Sequence, residues 1–230
     1  MAERQAGGVA AVREHLRPLG ATGRGPFSAA AKRALDLVVA ALALTALSPL
    51  FVLLAGLIVI DSGRPIFYRR RVLGRGGVPF DAWKLRTMRP AGQPAARQPI
   101  DGRATSVGGL QAGTLTVPDD PRITRLGRWL RRLSLDELPQ LFNIFLGNMT
   151  FVGPRPIAAD EVEIYGPAIE RFKTVTPGIT GLWQTCGRSE ASYEKRVQMD
   201  LFYIDNRSIL MDLWIIIATI PAVLLKRGAC

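Results

Sequence analysis

The residues of this chain best suited to chemistry are two adjacent acids, Asp136 and Glu137. They follow the pair Arg131-Arg132, and cations keep a neighbouring carboxylate ionised. An ionised aspartate can act as a nucleophile or as a metal ligand. The same stretch also fits a purely structural role. Ser134-x-x-Glu137 has the pattern of a capping box at the start of a helix through Leu141, Phe142, Ile144 and Phe145. At this point the residues leave both interpretations open.

The charge balance of the chain favours an anionic partner. Lys and Arg number 30 against 19 Asp and Glu, a formal net charge of +11, while 48% of the 230 residues are hydrophobic. This combination suits a phosphorylated substrate or acidic lipid headgroups, and it disfavours nucleic acid because a long apolar run is present. One histidine and two cysteines exclude a His/Cys zinc site and a disulfide framework, and they predict a reducing compartment.

The apolar run at residues 34–60 predicts contact with a membrane, since about 20 such residues suffice for a spanning helix. Ser48-Pro49 lies near its middle, where proline removes a helix hydrogen bond and bends the chain. Basic residues flank both ends, from Lys32-Arg33 to Arg69-Arg70-Arg71, and positive charge tends to remain cytoplasmic. The pattern favours a re-entrant hairpin over a kinked span, and both remain open.

A β-hairpin is predicted next, with strands at 66–73 and 78–85 around the turn Gly74-Arg75-Gly76-Gly77. The return strand ends at Lys84-Leu85-Arg86, whose cations have either a binding role or a solvated edge position. Residues 89–121 are rich in Pro and Gly and predict a loop.

The second half of the chain predicts helices. From Thr124, leucines lie on one predicted helix face with Trp129 beside them, and arginines cover the rest. This pattern suits a membrane surface, or else the surface helix of a soluble domain. Further helices are predicted at 161–173, 192–206 and 209–225, with a turn-rich loop at 176–181. Two arginines have settings suited to phosphate: Arg155 is stiffened by Pro154 and Pro156, and Arg188 ends a loop. A structural turn in which the arginine has no binding role is equally compatible with the Arg155 segment.

Taken in order, these motifs resemble those of the bacterial monotopic phosphoglycosyl transferases, the small bacterial sugar transferase family. The resemblance covers about residues 32–228. The matching pieces are Lys32-Arg33-x-x-Asp36, Ser48-Pro49, Lys84-Leu85-Arg86-Thr87-Met88, Asp120-Pro121-Arg122-x-Thr124-x-x-Gly127, Ser134-Leu135-Asp136-Glu137-Leu138-Pro139-Gln140-Leu141, Gly153-Pro154-Arg155-Pro156, Pro177-Gly178-Ile179-Thr180-Gly181-Leu182 and Gly187-Arg188.

The resemblance implies an α+β, mainly helical fold. Its expected parts are a membrane-embedded re-entrant helix hairpin broken at Ser48 and Pro49, interfacial amphipathic helices, and a small β-hairpin around a cytoplasmic active site. The expected divisions are a basic arm (1–31), the hairpin (32–62) and a catalytic domain (63–230) with a loop insertion at 89–118. The expected location is the bacterial inner membrane, with the catalytic domain on its cytoplasmic face.

The resemblance also implies a reaction. Such enzymes transfer a sugar-1-phosphate from a UDP-sugar to a polyprenyl phosphate, usually undecaprenyl phosphate, and release UMP. This is the first membrane step towards an exopolysaccharide, capsule, O-antigen or glycoprotein. Asp136 would be the nucleophile that carries a covalent phosphosugar, Glu137 would be its partner, and both would bind Mg²⁺. The candidates for holding phosphate are Arg132, Arg155, Arg188 and Lys84.

The expected partners are therefore the UDP-sugar, the lipid phosphate and the phospholipid membrane, without nucleic acid; a homodimer is compatible. Two departures from the family pattern limit the inference. The 89–118 segment is longer than usual, and Leu182-Trp183-Gln184 replaces commoner residues. The residues that contact the sugar are therefore not assigned. The rival interpretations are a membrane-anchored binder and a glycosyltransferase that moves only the sugar and releases UDP.

Overall fold

A computed structural model describes residues 26–89, 120–186 and 193–224, together with the single residues 14, 16 and 18. This part of the chain is mainly helical with two small sheets, which confirms the predicted α+β composition. Arg188 and nearly all of the 89–118 insertion lie outside the described residues. The last residues of the predicted arm belong to the first helix, which begins at Pro26 rather than near Lys32.

The apolar run forms two helices that meet at a bend. Helix α1 (Pro26–Ala46) ends just before α2 (Ser48–Ser62), and Pro49 lies in the first turn of α2, where its missing N–H is not needed. Ser48 Oγ donates to the Thr45 carbonyl at 2.8 Å. Within the described ranges, no single helix is long and apolar enough to cross a membrane. The pair Ala29–Ala46 and Ser48–Ser62, bent by 59°, meets that criterion when taken together.

The predicted β-hairpin is present. Strands β1 (Phe67–Leu73) and β2 (Pro79–Leu85) pair antiparallel around a 3₁₀ turn at Arg75–Gly77. A second sheet pairs β3 (Thr150–Val152) in parallel with a later strand, while β4 (Ile157–Ala158) joins the free edge of β1. The later strand, β5 (Gly178–Thr180), lies where the sequence predicts only a loop, because three residues are too few to show a strand period.

The remaining helices follow the predicted order, with two differences. A short helix at Leu182–Cys186 lies where the sequence predicts that the loop continues towards Arg188. The predicted helix at 161–173 is divided at Gly166, whose φ of 60° is left-handed, and at Pro167. The helices are α3 (Arg125–Arg132), α4 (Gln140–Leu146), α5 (Val162–Tyr165), α6 (Ile169–Phe172), α7 (Leu182–Cys186), α8 (Tyr193–Asn206) and α9 (Ile209–Leu224). Cys186 is disulfide-bonded.

Charged residues near the start of the apolar run tie α1 to the rest of the protein. Asp36 Oδ2 accepts a hydrogen bond from Thr150 Oγ1 at 2.6 Å, and Lys32 forms an ion pair with Asp212 of α9. Arg33 donates to the last carbonyls of α4, from Nη1 to Ile144 at 2.6 Å and from Nη2 to Phe145 at 2.9 Å. These charges are therefore internal contacts, and their positions fix how α1 packs.

The outward faces of α1, α2 and α9 are apolar. Their inner faces are packed: Leu54 and Ile58 of α2, for example, form a buried cluster with Leu85 and Leu130. Exposed apolar surface on this scale is characteristic of a protein that contacts a membrane or another apolar surface. The outward residues include Leu35, Val38, Leu42, Val52, Leu53, Ile60, Leu210, Ile217 and Ile220.

Candidate active site

Asp136 and Glu137 lie in a 3₁₀ turn, Leu135–Glu137, between α3 and α4. Ser134 precedes the turn in the left-handed region, with φ of 56°, and its side chain makes no capping hydrogen bond. Helix α4 begins only at Gln140, after Pro139. The capping-box interpretation of Ser134-x-x-Glu137 is therefore wrong. Asp136 therefore does not open an α-helix.

Thr124 caps helix α3, because its Oγ1 accepts a hydrogen bond from Gly127 N at 2.8 Å. Two contacts with Thr87, just beyond the end of β2, hold this helix against the hairpin. A Cβ atom on Gly127 would lie 2.1 Å from the Thr87 carbonyl oxygen, so only glycine permits this approach. From the last turn of α3, Arg131 Nε donates to Thr87 Oγ1 at 2.8 Å.

Helix α4 is held against the middle of β2 by Asn143. Its Nδ2 donates to the Asp81 carbonyl at 2.8 Å, and its Oδ1 accepts from Trp83 N at 3.0 Å. The turn that carries the two acids is thus fixed at both ends against the same strand.

Asp136 is buried, with 8% of its surface exposed. Burial raises the pKa of its carboxyl, and the negative charge of Glu137 raises it further; the cations Lys84 and Arg131 act in the opposite direction. The preceding arginines were expected to favour the ionised form. Arg131 does so, but burial has the larger effect, and the net shift of the Asp136 pKa is upward.

Glu137 and Lys84 face each other across a cleft. Lys84 Nζ donates to Glu137 Oε1 at 2.6 Å, and both side chains are partly exposed. The cleft encloses about 400 Å³, including its open mouth. Lys84 therefore has a cleft-facing position rather than a solvated edge. The other lining residues are Arg70, Val72, Ala82, Gln140, Arg155, Pro156, Gly178, Ile179 and Gln184.

Arg155 reaches the cleft from the segment between β3 and β4. Among the described residues it forms no hydrogen bond or ion pair, and its Cζ atom lies 6.0 Å from the ring centroid of Trp183. Burial lowers the pKa of the guanidinium, and the negative charge of Glu137 opposes this effect. An arginine remains protonated in proteins, so Arg155 presents an unpaired cation to the cleft.

The structure thus brings Lys84, Glu137 and Arg155 together, with Asp136 directly beside them. Arg132 is exposed at the end of α3 and does not line the cleft. Its neighbour Arg131 is the arginine close enough to act on Asp136. The placement of Arg188 falls outside the described residues. Ser48 and Pro49 lie at the bend between α1 and α2.

Three further cleft residues, Arg70, Gln140 and Gln184, were missed by sequence reasoning. Arg70 was interpreted only as part of a basic flank, although strand alternation puts it on the same side of the hairpin as Val72. The Oε1 atom of Gln184 is buried and has no hydrogen-bond partner among the described residues. Gln140 lies within the quoted Ser134–Leu141 motif, which could have indicated it, whereas only the fold identifies Gln184.

Asp136 and Glu137 are the acids that could hold a divalent cation. Within the described ranges, no group of three or more His, Cys, Asp or Glu residues is placed to bind a metal. Mg²⁺ is commonly held by one or two carboxylates together with substrate phosphates, and two adjacent acids beside an arginine-lined cleft fit that arrangement. A cation bound there would also lower the pKa of Asp136, and so oppose the rise that burial and Glu137 cause.

Comparison with known proteins identifies the family of the chain. The chain matches the bacterial sugar transferase family over residues 27–226. It is also 45% identical over 204 residues to the exopolysaccharide production protein ExoY of Sinorhizobium fredii, covering 89% of this chain and 90% of that protein. The chain belongs to the bacterial sugar transferase family. The resemblance found in the motifs is confirmed, and this sugar transferase is an enzyme of the phosphoglycosyl transferase class.

Two other relatives are longer than this sugar transferase. The undecaprenyl-phosphate galactose phosphotransferase of Salmonella typhimurium is 37% identical over 198 residues. The undecaprenyl-phosphate glucose phosphotransferase of Komagataeibacter xylinus is 39% identical over 209 residues. Each match covers 86% of this chain but only 41% and 36%, respectively, of those proteins.

Proposed function

We propose that this sugar transferase moves a sugar-1-phosphate from a UDP-sugar to undecaprenyl phosphate or a similar polyprenyl phosphate and releases UMP. The observation that carries the proposal is the position of the buried Asp136 beside a cleft that presents Lys84, Glu137 and the unpaired Arg155. The names of the relatives support the lipid acceptor, and that of ExoY supports an exopolysaccharide pathway.

In the first step, a carboxylate oxygen of Asp136 attacks the phosphorus that carries the sugar. A bond forms between that oxygen and phosphorus, and the bond from phosphorus to the bridging oxygen of the diphosphate breaks. UMP leaves with that oxygen, and Asp136 holds the sugar-1-phosphate as an acyl phosphate. Arg155 is placed to bind the phosphate oxygens, whose negative charge must be offset for an anionic nucleophile to approach.

In the second step, a phosphate oxygen of the lipid attacks the same phosphorus. The acyl phosphate bond breaks, Asp136 is regenerated, and the product is a polyprenyl diphosphate sugar. A covalent route lets two anionic substrates use one cleft in turn, which suits the cleft beside Asp136. Lys84 acts on both acids by pairing with Glu137 and by favouring ionised Asp136.

We propose Mg²⁺ as the cofactor, held by Asp136 and Glu137. When bound, the ion would supply positive charge that neutralises the diphosphate. The protein groups would then bind and orient the donor, with Arg155 and Lys84 on the cleft walls.

The bent helix pair fits entry into one face of a membrane. At about 1.5 Å per residue, two arms inclined equally about a 59° bend reach a depth of about 11–13 Å. Half of the hydrocarbon core is about 15 Å thick. We therefore propose a re-entrant hairpin whose two ends, near Lys32 and Arg64, lie on the cytoplasmic face of the bacterial inner membrane.

The nucleotide product tests this function. Purified protein in detergent is incubated with polyprenyl phosphate, MgCl₂ and a panel of UDP-sugars, and the released nucleotide is identified by chromatography. UMP supports the proposal. UDP would show that only the sugar is moved, and absence of turnover across the panel would favour the binding-protein interpretation.

A further inference from the structure

Three consecutive arginines on β1 point in different directions. Arg69 lies over the Trp83 ring, with its Cζ atom 4.8 Å from the ring centroid, and Arg71 pairs with Asp81 at 3.2 Å. Their partners belong to the face of the hairpin opposite Lys84. Arg70, between them, lies on the same face as Lys84 and lines the cleft. Only the middle arginine of the three is therefore placed to meet a ligand there.

A buried carboxylate holds Arg70 in that position. Glu161 Oε2 lies 3.5 Å from Arg70 Nη2, and the Glu161 side chain is only 3% exposed. Glu161 is itself fixed, because Oε2 accepts from Ala158 N at 2.9 Å and Oε1 lies 3.1 Å from Arg196 Nη1. Burial alone would raise its pKa, but the Ala158 N–H group and the two arginines hold that pKa below its ordinary value. Glu161 is thus a permanent negative charge behind the cleft.

The cleft contains more positive charge than its own acids balance. Lys84 is paired with Glu137, and Arg70 shares Glu161 with Arg196. In the described part of the protein, Arg155 has no acid partner. Two guanidinium groups that face one open cleft repel each other unless an anion lies between them. Arginine binds phosphate oxygens in a bidentate manner, so the pair suits a ligand with adjacent phosphates.

We propose that Arg70 binds a phosphate of the donor substrate together with Arg155, and that Glu161 positions Arg70 for that contact. The inference rests on the proposed function, since it takes the anion to be the diphosphate of the UDP-sugar. Arg70, as a binding residue, and Glu161, as a positioning residue, both lie outside the motifs that carry the family resemblance.

The binding role is tested with UDP as the probe and uridine as the phosphate-free comparison. Affinities are measured by calorimetry on the full chain in detergent with MgCl₂. Arg70→Met should weaken UDP binding on the order of tenfold or more, because it removes charged hydrogen bonds, and should leave uridine binding unchanged. Arg70→Lys should recover part of the loss. Arg69→Met and Arg71→Met remove the same charge from the opposite face and should change UDP affinity less than twofold.

Two outcomes separate this inference from the proposed function. If the wild type binds UDP and Arg70→Met binds it equally well, Arg70 has no phosphate contact and the inference is wrong while the function stands. If the wild type does not bind UDP at all, both are contradicted. Melting temperatures of all variants show whether a loss comes from misfolding, and Arg70→Lys provides the second variant if Arg70→Met does not fold.

The positioning role is tested by a double-mutant cycle. Glu161→Gln should raise the KM for the UDP-sugar several-fold in the wild-type background and add little in the Arg70→Met background, because its effect acts through Arg70. The neighbouring Asp160→Asn change, at an exposed acid, should leave KM unchanged. Equal effects of Glu161→Gln in both backgrounds would show an independent structural role and would overturn the assignment.

Discussion

Lys84 Nζ lies 2.6 Å from Glu137 Oε1, so strand β2 places a cation directly against the second acid of the Asp-Glu pair. The same lysine opposes the rise in the pKa of Asp136 that burial and Glu137 cause. One side chain thus acts on both acids, and its contribution can be measured through the pH dependence of the reaction.

We expect Lys84→Met to move the acidic limb of the pH–rate profile to higher pH. Asp136 must be ionised to attack, and removing a nearby positive charge raises the pKa of its carboxyl further. At pH values below that pKa, kcat/KM should fall on the order of tenfold or more relative to the wild type. The measurement is kcat/KM across pH 5–9, with Lys173→Met as the control, since this partly exposed lysine is also paired with a glutamate, Glu170. An unmoved acidic limb would contradict the role of Lys84.

Asp136→Asn should abolish turnover and stabilise the fold. The folded-state pKa of Asp136 is raised above its unfolded value of about 4, so the wild type loses stability as pH rises through the interval between those two values. The amide does not titrate. The stability difference in favour of Asp136→Asn should therefore be absent near pH 3.5, grow as pH rises, and become constant above the folded pKa.

Thermal unfolding at several pH values measures that difference, and membrane flotation shows that the variant still associates with lipid. Substantial residual turnover would refute the assignment of Asp136 as nucleophile. A variant that is less stable than the wild type at neutral pH would contradict the account of its burial.

Gly127→Ala should destabilise the protein by about 2–4 kcal/mol. The added Cβ atom would lie 2.1 Å from the Thr87 carbonyl oxygen, and backbone must move to accept it. Gly56→Ala is the matched control, because that helical glycine has no atom within 4 Å of the added Cβ. The control should stabilise the protein by up to about 1 kcal/mol through helix propensity. Equal melting temperatures for the two variants would show that α3 does not pack closely on Thr87.

A re-entrant hairpin predicts that both of its ends face the cytoplasm. Cysteines introduced at Ala31 and at the exposed Tyr68 should resist an impermeant maleimide in intact spheroplasts and react after lysis. The unmodified protein, with Cys186 and Cys230, sets the background. Labelling of the two positions from opposite sides would establish a span instead.

Much of this architecture is readable in the sequence because it depends on local patterns. The Ser48-Pro49 break, the hairpin around Gly74–Gly77 and the helix from Arg125 all have short-range causes: a lost N–H, turn geometry and an apolar period. The convergence of Lys84 and Arg155 on Glu137 was expected from the family motifs. The division of the chain into a membrane hairpin and a catalytic domain stays a prediction.

What the sequence could not supply depends on tertiary placement. Arg131 and Arg132 are adjacent in the sequence, but the side chains of successive helical residues point about 100° apart. Only the packing of α3 against Thr87 decides which of the two faces the protein interior. Ser134 is a residue type that commonly caps helices, yet its backbone is left-handed and its side chain makes no capping hydrogen bond. Arg70 required strand pairing to identify its face, and the burial of Asp136 reverses the effect expected from its neighbours.

The central claim is a covalent phosphosugar on Asp136, and the most direct test is a reaction with donor alone. The protein is incubated with its UDP-sugar and MgCl₂ without any polyprenyl phosphate, quenched, digested and examined by mass spectrometry. We predict release of up to one UMP per protein and a sugar-phosphate mass on the peptide that contains Asp136, both absent in Asp136→Asn. UMP that appears only when lipid phosphate is added, with no modified peptide, would contradict the covalent mechanism.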